Sequence, residues 1–471
     1  MTRLGDSVQR ASLLLDQDLS SDATVEQLLA ETGSRRYLDL SDLPAKEQAA
    51  LIGARAVEVL PSEEKLAEAI EAKQAQGKGL HVKLGIDPTA ADVHLGHTVP
   101  MIILSRFQRM GHDVTLIIGD FTAKIGDPSG RTAERPALTD EDIAKNLSGY
   151  QDQVRPFFDF ENVSFRNNSD WLGEIGFAQL ITLLAQVPAS ALLQREDFRN
   201  RLAQGSGLTM SELIYPVAMA LDSVELDCDI ELGGVDQLLN MQMGRRLMEL
   251  HGQRPQMIAT MPLIEGTDGS GAKMSKSKEN YIGLTAGADD VYGKIMSIPD
   301  RLMVPYLRAW TEWTDAETDR VVARIEAGTL HPMDLKKVLA GEVVSALHGA
   351  EAAKSARAHF TAQFSKKSFS DVETLPTVDA AEHGGEGVAA ILTKVLEFTP
   401  SASAARRMAK QNGLRLVVEP ADGGEQHSIV LPEADALRPL GEVVPEKLDE
   451  AGVGGTVYLK AGRKIAQIEG L

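Results

Sequence analysis

Four side chains, in two places far apart in the chain, have the types and spacing to handle a polyphosphate. His94 and His97 close the run Gly85-Ile86-Asp87-Pro88-Thr89-Ala90-Ala91-Asp92-Val93-His94-Leu95-Gly96-His97. A β-type run before Asp87, Asp-Pro turn chemistry and helical apolar spacing over 98–110 make this a strand, a loop and a helix N-terminus. Imidazole donors and open backbone there stand beside the positive end of a helix, which suits a nucleoside triphosphate. Downstream, Lys273-Met274-Ser275-Lys276-Ser277 sets two lysines three apart in a loop that starts among Gly266, Gly269 and Gly271, so both can swing onto one polyphosphate. A His-x-Gly-His alone is more often a satisfied pair of loop histidines; the second site makes the phosphate reading specific.

The elements that must position these groups alternate in type. Strand patterns at His81–Ile86, 114–118 and 163–166 are each followed by a loop and helical spacing, as at 102–110 and 141–154. This predicts an α/β fold with a Rossmann-like, doubly wound parallel sheet, which binds ligands beyond the strand C-termini where the strand order switches. No G-x-G-x-x-G follows the first strand, which disfavours a dehydrogenase. Helices over 45–58 and Glu63–Gln74 open a catalytic domain of residues 45–284, and residues 1–44 read as a short helical or partly disordered extension. Helical spacing recurs over 171–193 and over 211–223, where Tyr215, Met219 and Asp222 share a face. A core stripe accounts for Met219, whereas a buried aspartate needs a partner, which points Tyr215 and Asp222 at a ligand pocket.

After the lysine loop, residues 285–364 carry helical spacing over 288–297, 300–327 and 334–364. Residues 365–387, with Ser, Thr, Pro and a Gly384-Gly385 turn, read as a linker. Residues 388–471 read as a small α+β domain. Its helix over 402–411 carries Arg406, Arg407 and Lys410, with Gly413 as its cap and strands over 414–418 and 456–459.

With its two signatures, the sequence resembles the class I aminoacyl-tRNA synthetases. The intervening stretches from Gly119-Asp120-Phe121 to Asp127-Pro128-Ser129-Gly130, and Gly233-Gly234-Val235-Asp236-Gln237, make it similar to the bacterial tyrosyl-tRNA synthetases over about 57–284, more weakly beyond. The resemblance implies ATP with Mg²⁺ as a substrate complex, tyrosine and its tRNA as partners, a homodimer, an anticodon-side helical domain and an S4-like RNA-binding C-terminal domain. It places His94, His97 and Thr89 at the phosphates, and Lys273 and Lys276 at the departing pyrophosphate. Gly85, Asp87, Gly96 and Asp236 fall at the nucleotide, with Asp236 on the ribose. Lys83, Thr122, Asp127, Tyr215, Met219, Asp222 and Gln237 fall at the amino acid, with Asp222 reading the phenol hydroxyl. Arg406, Arg407 and Lys410 fall at tRNA phosphates. The chain departs from the family at Met219, usually glutamine, at Leu221, usually tyrosine, and at Lys124, usually apolar; Lys83 is a tyrosine in many members and a lysine in one bacterial branch. Two alternatives stay open: a paralogue activating a modified or non-proteinogenic aromatic amino acid, and a non-catalytic RNA-binding regulator on this scaffold.

At 471 residues the chain predicts roughly three domains. A formal net charge of -20 argues against nonspecific polyanion binding, so a tRNA contact must use a local basic patch. One cysteine, Cys228, excludes an intramolecular disulfide and Cys-based zinc sites and fits a reducing cytoplasm. No apolar run reaches membrane-spanning length and no signal-peptide core opens the chain, so the expectation is a soluble cytoplasmic protein.

Overall fold

Runs of buried aliphatic residues build a six-stranded sheet: β1 (Glu58–Leu60), β2 (His81–Ile86), β3 (Asp113–Ile118), β4 (Ser164–Asn167), β5 (Ile230–Gly234) and β6 (Met257–Met261). The computed structural model describes residues 2–129, 138–193, 195–205, 207–364, 375–420, 426–462 and 464–471. Gly130 and residues 365–374 of the expected linker lie outside these. β3 is buried at every residue after Asp113 and β6 throughout, as helices on both faces of a parallel sheet require. The order is β1-β6-β5-β2-β3-β4, with β1 antiparallel to β6 and the other pairs parallel. Since β3 and β4 lie on one side of β2 and β5 and β6 on the other, the order switches between β2 and β5, where a crevice opens at the strand C-termini.

β1, β5 and β6 were not among the strand patterns. The expected helix over 45–58 stops as α3 (Ala45–Gly53), and the chain turns into β1 before α4 (Glu63–Gln74). The single helix expected over 171–193 is three short ones, Ser169–Leu172, Phe177–Leu184 and Ala189–Leu193, interrupted around Gly173, Gly176 and Pro188. Residues 300–327 likewise break at Thr311 into helices Met303–Trp310 and Asp315–Glu326.

The chain divides into two compact units, Met1–Ala356 and Arg357–Leu471. The first 44 residues are therefore no free extension. They form α1 (Arg3–Leu15), capped by Thr2, and α2 (Asp22–Ser34), capped by Ser21, and bury Leu15, Leu19, Val25 and Leu28. Gly341 in helix Pro332–His348 permits the approach, since a Cβ there would stand 2.8 Å from Leu29 Cδ1. Arg35 locks the arrangement: its Nη1 and Nη2 donate to Glu317 at 2.8 and 2.7 Å, and both side chains are out of water. The boundary expected at residue 284 does not separate compact units either. Trp310 Nε1 donates to the Leu95 carbonyl at 3.0 Å, and Glu312 pairs with Arg109 at 3.2 Å on α5 (Leu95–Arg109).

In the second unit the sheet runs β7 (Thr377–Asp379), β11 (Lys464–Glu469), β10 (Thr456–Ala461), β8 (Leu414–Glu419) and β9 (His427–Val430). Part of the expected linker thus belongs to the fold, because β7 pairs in parallel with β11 through Val378 and Ile468. Leu416 and Leu459 pack with Ile391 and Val443 in one core, to which helix Ala402–Lys410 adds Ala405 and Ala409. Asn412, at φ +58, takes the left-handed turn expected at Gly413.

Removing Arg35 strands a buried carboxylate. Arg35→Ala is expected to lower the unfolding free energy by about 3–5 kcal/mol, measured by denaturant titration; a loss within error would show that α1 and α2 do not depend on this pair.

Candidate active site

The strand–loop–helix signature folds as a capped helix start in which both histidines serve the backbone. His94 is the N-cap of α5: its Nδ1 accepts from Gly96 N at 3.2 Å, and His97 Nδ1 accepts from His94 N at 3.2 Å. With each Nδ1 accepting, the neutral rings carry their protons on Nε2 as donors. Burial, then His97 and the two lysines, hold His94 down to about 3. His97 is exposed, and desolvation where its ring is covered by its neighbours, then Lys276, lowers it to about 4. The rings lie 3.8 Å apart between centroids. A side chain at Gly96 would meet the His94 ring at 3.0 Å, so glycine is what lets this ring fold back over the helix start.

The lysine loop is tied to the same spot by backbone. Leu95 N donates to Ile282 O at 2.9 Å, Leu284 N donates to Val93 O at 3.0 Å, and His94 bridges to Gly283. Inside the loop, Met274 N donates to Ile264 O at 2.8 Å and the buried Asn280 accepts from Ser275 N at 2.8 Å. Lys273 rests on Asp236 at 3.1 Å and Lys276 on Asp92 at 2.8 Å. Both pairs are solvated and weak, so phosphates can displace these carboxylates at little cost. Gly85 has open space where a side chain would stand, and Thr89 is held by its N–H on the Asp87 carbonyl at 2.8 Å.

Near these groups lies a chain of half-buried to buried hydrogen bonds. Asp87, just beyond β2, accepts from Tyr215 Oη at 2.9 Å and from Thr122 Oγ1 at 2.7 Å. Asp87 thus joins the end of β2 to helix Met210–Leu226, and Tyr215 donates to it rather than to Asp127. Thr122 accepts from Asn168 Nδ2 at 3.1 Å. Asn168 and Trp171 Nε1 both donate to Asp222, at 3.4 and 2.9 Å. Burial pushes the Asp222 carboxyl up to about 7, against Lys83 and these two donors. Met219, on the same helix face, is half-buried and adds no polar group.

Lys83 pairs across the strand switch. Register sets it opposite Glu231, and Nζ reaches Oε1 at 2.5 Å with both side chains out of water. Burial pulls this ammonium down, but Glu231, Cys228 and Asp222 together outweigh it and leave it raised. Lys83 is therefore a buried counter-charge near Asp222 rather than an open contact. A second network holds Asp127, which accepts from Gln237 Nε2 at 2.7 Å and from Ser129 N at 2.9 Å; Gln237 Oε1 in turn accepts from Asn240 at 2.7 Å. Sequence reading missed Asn168, Trp171, Glu231 and Asn240. Only Asn168 carried a signal, its place directly after a strand pattern.

Both histidines take up a proton far less readily folded than unfolded, where the usual value is 6.5. Below pH 6.5 the unfolded chain protonates first, so they cost stability progressively as pH falls toward 4. Long-range ¹H–¹⁵N correlation at pH 5 is expected to show neutral, Nε2-protonated rings at 94 and 97; imidazolium signals from both would remove the neutral-donor arrangement.

Comparison with known proteins agrees with this geometry. Residues 75–365 match the family model of tRNA synthetases class I (W and Y). The tyrosine–tRNA ligase of Thermotoga maritima is 41% identical over 78% of this chain and 89% of its own. That of Desulfotalea psychrophila is 40% identical over 85% of this chain and 98% of its own. A C-terminally truncated Aspergillus nidulans mitochondrial tyrosyl-tRNA synthetase superposes with a TM-score of 0.56 at 19% identity, over 70% of this chain and 99% of that one, and so shares the fold. On these matches the chain belongs to the bacterial tyrosyl-tRNA synthetases, within class I.

Proposed function

We infer that the chain activates tyrosine with ATP and transfers it to the 3′ end of tyrosine tRNA. The observation that carries this is the backbone junction of the His94–His97 and Lys273–Lys276 segments, together with the hydrogen-bonded chain that runs from Asp87 to buried Asp222. In the first step a tyrosine carboxylate oxygen attacks the ATP α-phosphorus; a P–O bond forms, the bond to the β-phosphate bridge breaks, and pyrophosphate leaves with the electron pair. No enzyme nucleophile is required, so the protein's part is positioning and stabilising phosphate charge.

The Nε2–H groups of His94 and His97 donate to the phosphates as charge grows, with Thr89 as a further donor. Lys273 and Lys276 leave Asp236 and Asp92 to follow the pyrophosphate. Asp236 then takes the ribose hydroxyls, and Gly85, Asp87 and Gly96 shape the nucleotide side. Mg²⁺ enters with ATP, held through phosphates and water. Asp127, with Gln237, faces the substrate amine; Thr122 and Tyr215 hold the pocket wall, and Asp222, with Lys83 behind it, accepts from the phenol hydroxyl. Half-buried Met219 favours a second reading in which a modified aromatic amino acid is the better substrate, since the amine side has one polar partner fewer. The exposed Phe177 and Ile181, 79% and 52% accessible, support the homodimer, which sedimentation equilibrium checks.

Tyrosine-dependent ATP–pyrophosphate exchange tests the first step; exchange with another aromatic amino acid but not with tyrosine would transfer the reading to the paralogue. Because the phenol needs an ionised acceptor and the Asp222 carboxyl stands at about 7, KM for tyrosine is expected to rise as pH falls from 8 to 6. Asp222→Ala should lower kcat/KM by roughly tenfold to a hundredfold, and a flat pH profile with an unaffected variant would dismiss Asp222 as the reader.

For tRNA we propose Arg406, Arg407 and Lys410, all exposed on helix Ala402–Lys410, where Glu433 engages Arg406 at 3.0 Å. Replacing the three by alanine should raise KM for tRNA and flatten its salt dependence while exchange is unchanged. Undiminished aminoacylation would exclude this helix.

A further inference from the structure

At the opposite end of α5 from His94, a cavity of about 300 Å³ lies between α3, the last turn of α5 and the turn before helix Asp315–Glu326. Leu40, Leu51 and Trp313 give it apolar walls, and Arg55, Arg106 and Arg109 a cationic one. The cations are out of balance. Glu312 serves both Arg106, at 3.5 Å, and Arg109, at 3.2 Å; Asp315 serves both Arg55, at 2.8 Å, and Arg308, at 3.3 Å. Within the lining, Arg35 is held by Glu317, so Glu312 and Asp315 are left to serve Arg55, Arg106 and Arg109, and Glu47 at the rim is exposed, with no ion pair among the described residues.

Arg106 is only 4% exposed and has long contacts, 3.5 Å to Glu312 and a hydrogen bond at 3.4 Å from Nη1 to the Leu51 carbonyl. The Nε atoms of Arg55 and Arg109 are buried without a partner. Burial, together with repulsion from Arg55 and Arg109, brings Arg106 down from 12.5 to about 10 in spite of Glu312. A buried guanidinium with so few acceptors is costly unless an anion joins it.

We propose that this cavity binds a small organic carboxylate, its charge meeting Arg106 and Arg109 and its apolar body lying against Leu40, Leu51 and Trp313. The volume sits at the low end of ligand pockets and limits that body to about one ring. The probe is 4-fluorobenzoate, followed by ¹⁹F NMR with the full chain at pH 7.5 and constant ionic strength, with saturating tyrosine present to fill the crevice. Saturable binding at roughly millimolar concentration is expected. Arg106→Gln should weaken it roughly thirtyfold. Ala50→Phe, which fills the rim and leaves the arginines in place, should abolish it without changing pyrophosphate exchange. No binding, equal binding of 4-fluorobenzyl alcohol, displacement by sulfate at the same concentration, or unchanged binding to both variants would each overturn the proposal.

Discussion

The crevice depends on one short backbone junction. Leu95 N–H donates to the Ile282 carbonyl and His94 bridges to Gly283, which brings the lysine loop against the start of α5 across nearly two hundred residues of chain. Side-chain contacts between two flexible lysines and two neutral histidines would be too weak to set this geometry, because all four groups are donors with no acceptor between them. Backbone pairing does not depend on such an acceptor. It holds four donors on one side of the crevice before any phosphate arrives, so stabilising the developing charge needs little reorganisation.

The electrostatics around this junction are arranged by depth. At the surface Lys273 and Lys276 rest on Asp236 and Asp92, pairs that water screens. Deeper, His94 stays neutral, and so does His97 at the exposed edge beside it, because a second pair of cations next to the lysines would raise the energy of the empty site. Deepest, Lys83 and Glu231 neutralise one another beside Asp222, whose own charge is poised near neutrality. A chain of net charge -20 can therefore take up a polyanion, since the local field is set by a few fixed donors rather than by the total.

The same helix serves two ends of the first unit. The N-terminus of α5 presents backbone N–H groups and histidines to the crevice, and its last turn inserts Arg106 and Arg109 among Glu312, Arg55 and the N-terminal helices. Packing of α2 against helix Pro332–His348 and of α1 against helix Asp315–Glu326, with the Arg35–Glu317 pair, makes residues 1–44 part of this frame.

Local pattern alone determined the strand, loop and helix around residues 81–110, the second cationic loop, the Tyr215–Asp222 face and the exposed arginine helix, because each rests on periodicity or spacing within about a dozen residues. Family membership followed from the same motifs. Tertiary structure alone decided the rest. β5 and β6 are short buried runs that cannot be told from helix without their neighbours, and Lys83 opposite Glu231 exists only through strand register. The donors to Asp222 come from Asn168 and Trp171, more than fifty residues earlier in the chain. Val378 looks like linker until β11 offers it an edge, and the short amphipathic pieces of residues 1–44 look marginal until Gly341 and Glu317 receive them. In each case the partner that makes the residue's position favourable is remote in sequence, so no local reading could have supplied it.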